Sequence, residues 1–492
     1  MASSSSFQQR PPPQTQTQTR DDSETDEEFI TERTYYPAFM IPDLFTQLPP
    51  VRDALVTSTS RVQDETVDTC LPYLAGEDEL FKYNLHGVPN LDREKHIRFL
   101  HASLGRLPGR FLAADASRPW FLYWALSALA IMGEDVSSYR EAFVETARGM
   151  QNDTGGFGGG GKQTSHIATT YAIVLALALV GGEDAFEVID RKSLWRWLCA
   201  LKQPDGGFQV CLGGEEDIRG AYCTAVIIRL LNLPLDLTPA SPAWAGDGSA
   251  NLLSSVGDYV RRCQTFEGGI SSQPNAEAHG AYAFCALGAL SLLDDPRRTI
   301  PRYLDVPRLI SWLSSRQYAP EAGFSGRTNK LVDGCYSHWV GGCFPLIEAC
   351  LSPPGAPDQA AGHPASAGRV PPAPESLFSR EGLIRYILCC CQDQSKRGGL
   401  RDKPGKMSDA YHSCYVLSGL SSAQHQWELA PSAAEDDSAA ATVDPVWTVL
   451  PYLDDVQVFD QKDLVRPIHP VYAIPLQSQQ AIQSYFLAKE GF

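Results

Sequence analysis

Five times along this chain a glutamine is followed by a short polar stretch and a glycine-rich turn. The five are "MQNDTGGFGGG" at Gln151, "KQPDGGFQV" at Gln203, "CQTFEGGIS" at Gln264, "RQYAPEAGFSG" at Gln317 and "CQDQSKRGGL" at Gln392. They are spaced by 52, 61, 53 and 75 residues. Each turn leads into an apolar run: "TTYAIVLALALV", "AYCTAVIIRLL", "AYAFCALGALSLL", "CYSHWVGGCFPLI" and "YHSCYVLSGLSS". A second run precedes each glutamine, as in "RKSLWRWLCALKQ" and "VPRLISWLSSRQ". Apolar positions recur near the helical period in both sets, not with strand alternation. Each unit is therefore predicted as a helical hairpin of roughly 50 residues, which buries its apolar face only by stacking on its neighbours. The fold class is all-α. A closed α/α barrel and an open solenoid both satisfy this period.

The rest of the sequence sets the bounds. The 492 residues are 43% apolar, enough for a large core, and carry a net charge of -17. That sign argues against a nucleic-acid surface, which is normally basic. Residues 1–35 are polar and then acidic, read as a disordered tail without the apolar core of a secretory signal. No stretch reaches the roughly 18 apolar residues of a membrane span. Thirteen cysteines are scattered without a C-x-x-C pair. A reducing, cytoplasmic compartment is expected rather than a disulfide framework, and no structural zinc knuckle. The remainder, 36–492, is expected to be one barrel domain. It is interrupted by flexible insertions at "PPGAPDQAAGHPASAGRVPPAPES" (353–376) and "APSAAEDDSAAATVD" (430–444).

Polar and aromatic residues recur where each post-turn helix begins. The series is His166 with Tyr171, Arg219 with Tyr222, His279 with Tyr282, Asp333 with Cys335 and Tyr336, and Asp409 with Tyr411 and His412. In a closed barrel these helix starts share one mouth. Asp and His also cap helices, and that reading stands beside the functional one. Asp333, Cys335 and His412 together offer an oxygen, a sulfur and a nitrogen. Three protein ligands leave a tetrahedral zinc one open position, the catalytic pattern; a buried small hydrophobe is the plain alternative for Cys335. Arg327, Lys330 and His279 group as cations suited to phosphate. Trp120, Trp124, Tyr222, Tyr282, Tyr336 and Trp339 would line an apolar cavity beside them. Core packing is the plain alternative for each.

The motifs "LVDGCYSHW", "RGAYC", "EAHGAY", "GFSGRTNKLVDGC", "RDKPGKMSDAYHSCYVLSGLS" and "HPVYAIP" resemble the β subunits of protein farnesyltransferases, in the protein prenyltransferase β-subunit family. The resemblance runs from about residue 91 to about 470. It implies an α6-α6 barrel that pairs with a separate helical α subunit. It implies zinc ligands at Asp333, Cys335 and His412, and diphosphate contacts at His279, Arg327, Lys330 and Tyr336. It places Arg219, Tyr222, Tyr282, Cys285 and Trp339 on an isoprenoid wall, with Trp120 and Tyr415 closing its floor. It puts His166 and Arg219 near the carboxyl end of a peptide substrate, and Trp120, Trp124 and Tyr411 around that peptide's a₂ side chain. Asp402 matches a position linked to magnesium. His338 stands where relatives commonly have Phe.

The implied activity is transfer of farnesyl from farnesyl diphosphate to the cysteine of proteins ending in C-a-a-X, such as Ras-like GTPases. A zinc-held thiolate would displace diphosphate, with Mg²⁺ assisting. A type I geranylgeranyltransferase β subunit shares these features. A terpene cyclase would carry D-x-D-D or D-D-x-x-D, and neither is present. A non-catalytic helical scaffold would bind no zinc.

Overall fold

The computed structural model describes residues 41–48, 50–79, 81–352, 376–430, 446–452, 458–489 and 492. Apart from Ser376 and Ala430, the expected tail and both insertions lie outside these residues. The helices that matter to the site are α1 (Ser58–Leu74), α2 (Arg93–Ser103), α3 (Arg118–Ile131), α4 (Arg140–Arg148), α5 (Ile167–Val180), α6 (Arg191–Leu201), α7 (Ile218–Leu231) and α8 (Val256–Cys263). They continue with α9 (Gly280–Leu293), α10 (Val306–Ser314), α11 (Tyr336–Trp339), α12 (Phe344–Leu351), α13 (Arg380–Arg385), α14 (Ala410–Gln424) and α15 (Leu476–Ala488).

Two classes of helix explain the layers. α5 and α9 are apolar all round, and nearly every residue in them is buried. Such helices belong inside. α6, α8 and α10 bury one face and wet the other, so they form the outer layer. The inner helices close on themselves: α3 packs on α5, α5 on α7, α7 on α9, α9 on α11, α11 on α14, and α14 back on α3. The closed α/α barrel, not the open solenoid, is the outcome.

The repeated glutamine is what stitches the seams. Gln151 accepts from the backbone N–H of Asp190 (2.9 Å) and donates to the Val188 carbonyl (2.8 Å). Asp190 caps α6, the next outer helix. Gln264 brackets Asp305, the cap of α10, in the same way at 2.8 and 3.1 Å. Gln317 brackets Ser379, the cap of α13, at 2.8 and 2.9 Å. Gln392, fully buried, reaches back to the start of the chain and accepts from Asp92, the cap of α2, at 2.9 Å. The last repeat is thus tied to the first by the same bond that joins the others. Gln203 departs from the pattern by bonding its own Leu201 carbonyl; buried Lys202 takes over that seam, donating to the Ser254 carbonyl at 2.8 Å.

The turn glycines serve the same seams. Gly155, Gly206 and Gly268 have φ near +100° (99°, 100° and 98°), a region that favours glycine. A Cβ on any of them would collide with the backbone of the next outer helix, at Ser193, Ser255 and Arg308.

The structure differs from expectation in three places. The run "CYSHWVGGCFPLI" is not one helix: α11 is a single turn, followed by a 3₁₀ turn at Gly341–Cys343 and then α12. Gly341-Gly342 weakens the helix there, and Pro345 supplies no N–H. The run after α13 is a π turn, Tyr386–Cys390. A two-stranded antiparallel sheet, β1 (His425–Leu429) with β2 (Trp447–Pro451), pairs Gln426 with Leu450 and flanks the second insertion. The thirteen cysteines are all free thiols. Among the described residues no helix is long and apolar enough to cross a membrane.

The "HPVYAIP" stretch seals the barrel's base. Arg466 donates its N–H to the Ile131 carbonyl (2.8 Å), and Ser421 donates to the Arg466 carbonyl (3.0 Å). Both partners lie at the C-terminal ends of inner helices, away from the mouth. Tyr222 and Tyr123 then donate from inside the barrel to the carbonyls of Val471 (2.7 Å) and Ala473 (3.1 Å).

Candidate active site

The inner-helix starts do meet at one mouth, and their caps carry a second function. His166 caps α5 and His279 caps α9 by accepting the N–H of Ala168 and Ala281 on Nδ1, each at 3.1 Å. The cap fixes the tautomer: the ring proton sits on Nε2, which is left for other work. Capping and site roles are therefore compatible rather than rival. Asp217 and Asp409 cap α7 and α14.

At one side of the mouth the ligand atoms of Asp333, Cys335 and His412 lie within 4.8 Å of one another. Asp333 precedes α11 and accepts the Cys335 N–H at 2.9 Å. His412 enters from α14. Its N–H and its Nδ1 both bond the carboxylate of Asp409, each at 2.7 Å. Nδ1 therefore faces Asp409, and Nε2 is turned toward Asp333 and Cys335. That Nε2 lies 3.2 Å from Asp333 Oδ1 yet is buried without a well-formed hydrogen bond. Burial alone would lower the basicity of His412, but the carboxylates of Asp333 and Asp409 outweigh it and push it up to about 10. Burial, with Asp333 beside it, pushes the Cys335 thiol well above the thiol range. Carboxylate, thiol and imidazole converge on one buried point, where the imidazole's own proton is what answers Asp333. A zinc ion would bind all three, deprotonating the thiol outright. The residues present fit that ion.

The second cluster stands beside the first. His279 Nε2 donates to Tyr336 Oη at 3.1 Å, which leaves the tyrosine proton free to point at an incoming anion. Burial, reinforced by the positive charge of Arg327, lowers His279 to about 4. It is a neutral donor and not the cation the sequence reading grouped with Arg327 and Lys330. Arg327 is half-exposed and bonds Glu277 at 2.8 Å; Lys330 is exposed on the same turn. Arg219 is held bidentately by buried Asp217 at 2.8 and 2.7 Å and lies 5.8 Å from the Tyr282 ring.

The aromatics form a closed circuit inside the barrel. Ring centroids run from Trp120 to Trp124 (5.6 Å), Tyr411 (5.2 Å), Tyr415 (4.9 Å), Trp339 (4.4 Å), Phe284 (5.7 Å), Tyr222 (5.7 Å) and Tyr171 (5.7 Å), and return to Trp120 (6.1 Å). All six inner positions contribute. Tyr222, Cys285 and Tyr415 are almost wholly buried, whereas Trp120, Trp124, Tyr282, Trp339 and Tyr411 keep part of their surface. Trp339 donates its indole N–H to Tyr411 at 3.1 Å. His338 packs at 4.5 Å from Phe284 and 5.1 Å from Tyr415, neutral, with Nε2 lacking any partner. Nothing in the structure explains an imidazole there.

Asp402 sits near Asp333. Burial, helped by the Asp333 charge, raises its carboxyl, and Lys403 answers it at 2.5 Å. One carboxylate already paired with an ammonium is not a magnesium cage. Such an ion would need diphosphate oxygens as well. Sequence reasoning placed Asp409 at a helix start but not as the partner of His412, and it did not single out Asp217, Glu277 or Phe284.

The prenyltransferase alpha-alpha toroid domain family matches residues 91–474. Protein farnesyltransferase subunit beta of Pyricularia oryzae is 63% identical over 455 residues, covering 92% of this chain and 85% of the relative. The same subunit of Schizosaccharomyces pombe is 37% identical over 436 residues, covering 89% and 98%. Among solved structures, Candida albicans protein geranylgeranyltransferase-I complexed with GGPP superposes with a TM-score of 0.57 at 20% identity. It covers 81% of this chain and 99% of that one, a likeness of fold.

Proposed function

Because the chain belongs to the protein farnesyltransferase beta-subunit family, we propose that it moves a farnesyl group from farnesyl diphosphate to the cysteine thiol of a C-terminal C-a-a-X motif. The observation that carries this reading is the convergence of Asp333, Cys335 and the Nε2 of His412 beside the Tyr336–Arg327 cluster. Zn²⁺ held by those three would lower the substrate thiol's proton affinity through its open position. The remaining work falls to the chain. Asp409 aims the His412 lone pair. Tyr336, oriented by His279, donates to the leaving oxygens, and Arg327 and Lys330 answer their growing charge. The sulfur–carbon bond to C1 forms as the carbon–oxygen bond breaks, and diphosphate departs with the electron pair. No covalent enzyme intermediate is required, so Cys335 is a ligand and not a nucleophile.

The aromatic circuit suits an isoprenoid. We assign its wall to Arg219, Tyr222, Tyr282, Cys285 and Trp339, and its floor to Trp120 and Tyr415. Trp120, Trp124 and Tyr411 face the peptide's a₂ side chain, and His166 with Arg219 faces its carboxylate. Asp402 would share Mg²⁺ with the diphosphate. The partners are a separate α subunit, farnesyl diphosphate and C-a-a-X proteins, in the cytoplasm.

The test is co-expression with the cognate α subunit, followed by kcat/KM for farnesyl and geranylgeranyl diphosphate on one C-a-a-X peptide. The farnesyl donor is expected to win. Overpacking a dense interior costs about 1–3 kcal/mol, or roughly 5- to 150-fold against the longer chain. Trp120→Thr should narrow that ratio. A wild-type preference for the C20 donor would replace this reading with the type I geranylgeranyl one.

A further inference from the structure

Three segments meet at one main-chain oxygen, the carbonyl of Asp402. It accepts the Gly334 N–H at 2.9 Å and the Tyr386 hydroxyl at 2.9 Å, with Cys391 Sγ at 3.6 Å. Gly334 lies between Asp333 and Cys335, so this bond holds the turn that carries two of the three ligand side chains. A side chain at Gly334 would forbid the approach. Its Cβ would stand 2.7 Å from the Arg401 carbonyl and 3.0 Å from Cys391 Sγ.

Tyr386 is fully buried and opens the π turn Tyr386–Cys390. A π turn inserts one residue per turn and re-aims the side chains it carries. The ring reaches its place because residue 323 is glycine; a Cβ there would lie 2.8 Å from the ring. The same turn grips the loop again, since Arg401 donates its N–H to the Cys391 carbonyl at 2.8 Å and its Nε to the Cys390 carbonyl at 3.2 Å. The Asp402 loop and the Asp333–Cys335 turn are thus set by one joint.

We propose that Tyr386 is a positioning residue for the metal corner, acting through the Asp402 carbonyl on the Asp333–Cys335 turn. The proposal rests on the zinc reading above. Without the hydroxyl, the carbonyl loses one of its two strong donors and the turn loses the support that fixes its register. Groups bonded directly to metal ligands typically change affinity by about 10- to 100-fold, and Tyr386, one bond further out, is expected at the low end of that range.

The experiment uses the full chain co-purified with its α subunit and follows Zn²⁺ transfer to a chromogenic chelator. Tyr386→Phe keeps the ring and removes the hydroxyl. It should give up zinc about tenfold more readily than wild type. Gly323→Ala, which displaces the ring, should move zinc retention the same way. Tyr83→Phe is the control. It removes a buried hydroxyl that donates to the Tyr73 carbonyl at 3.1 Å, and it should leave zinc release unchanged whatever it does to the melting temperature. Tyr386→Phe releasing zinc at the wild-type rate would overturn the proposal, and so would Tyr83→Phe releasing it as fast as Tyr386→Phe. Wild-type protein that holds no zinc would overturn the metal reading itself.

Discussion

The candidate metal corner and the candidate diphosphate rim are neighbours built on opposite plans. At the corner, Asp333, Cys335 and His412 are largely buried, and the carboxylate and the imidazole are each fixed by a dedicated partner. Asp409 grips His412 twice, and the Cys335 N–H grips Asp333. At the rim, Arg327 is half-exposed and tied to Glu277, and Lys330 is exposed. The corner is braced by the fold itself. The rim is a pair of charges near solvent, one of them tied only to a surface carboxylate. The difference follows from chemistry. A tetrahedral ion tolerates little displacement of its ligands, whereas a diphosphate accepts several arrangements of point charges and exchanges them as it leaves.

Breaking the corner should cost most. Asp409→Asn leaves the α14 cap acceptable but gives His412 a neutral partner. Zinc affinity is expected to fall about 10- to 100-fold, read by chelator competition, with the melting temperature of the metal-free protein barely moved. An unchanged affinity would mean that Asp409 only caps the helix.

Breaking the rim should cost less and respond to salt. Lys330→Ala is expected to raise KM for farnesyl diphosphate several-fold, with an effect that shrinks as ionic strength rises, because exposed charges are screened. A loss of zinc in that variant would show that the two regions are not separable. Sharpening the rim should help slightly. Glu277→Gln frees Arg327 from its surface partner, and exposed pairs are worth about 0.2–1 kcal/mol. KM for the diphosphate should therefore fall by less than about fivefold. A rise in KM would make Glu277 a positioning group rather than a decoy.

The two regions also differed in how far the sequence exposed them. The helical period and the Gln–Gly repeat gave the hairpins, because those signals are local and recur. The closure could not be read from period, since it depends on Gln392 meeting Asp92 across 300 residues. The three candidate ligands were legible as donor types near helix starts. Their outer partners were harder to see, because Asp409 looks like any helix cap until His412 is placed behind it. The rim misled in one respect. His279 reads as a cation, but burial and Arg327 make it a neutral donor. The breaks after Trp339 and within Tyr386–Cys390 were hidden because apolar composition does not separate α, 3₁₀ and π turns.

The claim that joins the regions is that one metal ion organises the corner. Zinc content by mass spectrometry, on wild type and Cys335→Ala purified with the α subunit, tests it most directly. Three protein ligands at a single site predict about one zinc per β chain in wild type. The variant should lose most of that zinc, and farnesyl transfer with it. A Cys335→Ala protein that kept full zinc would contradict the account.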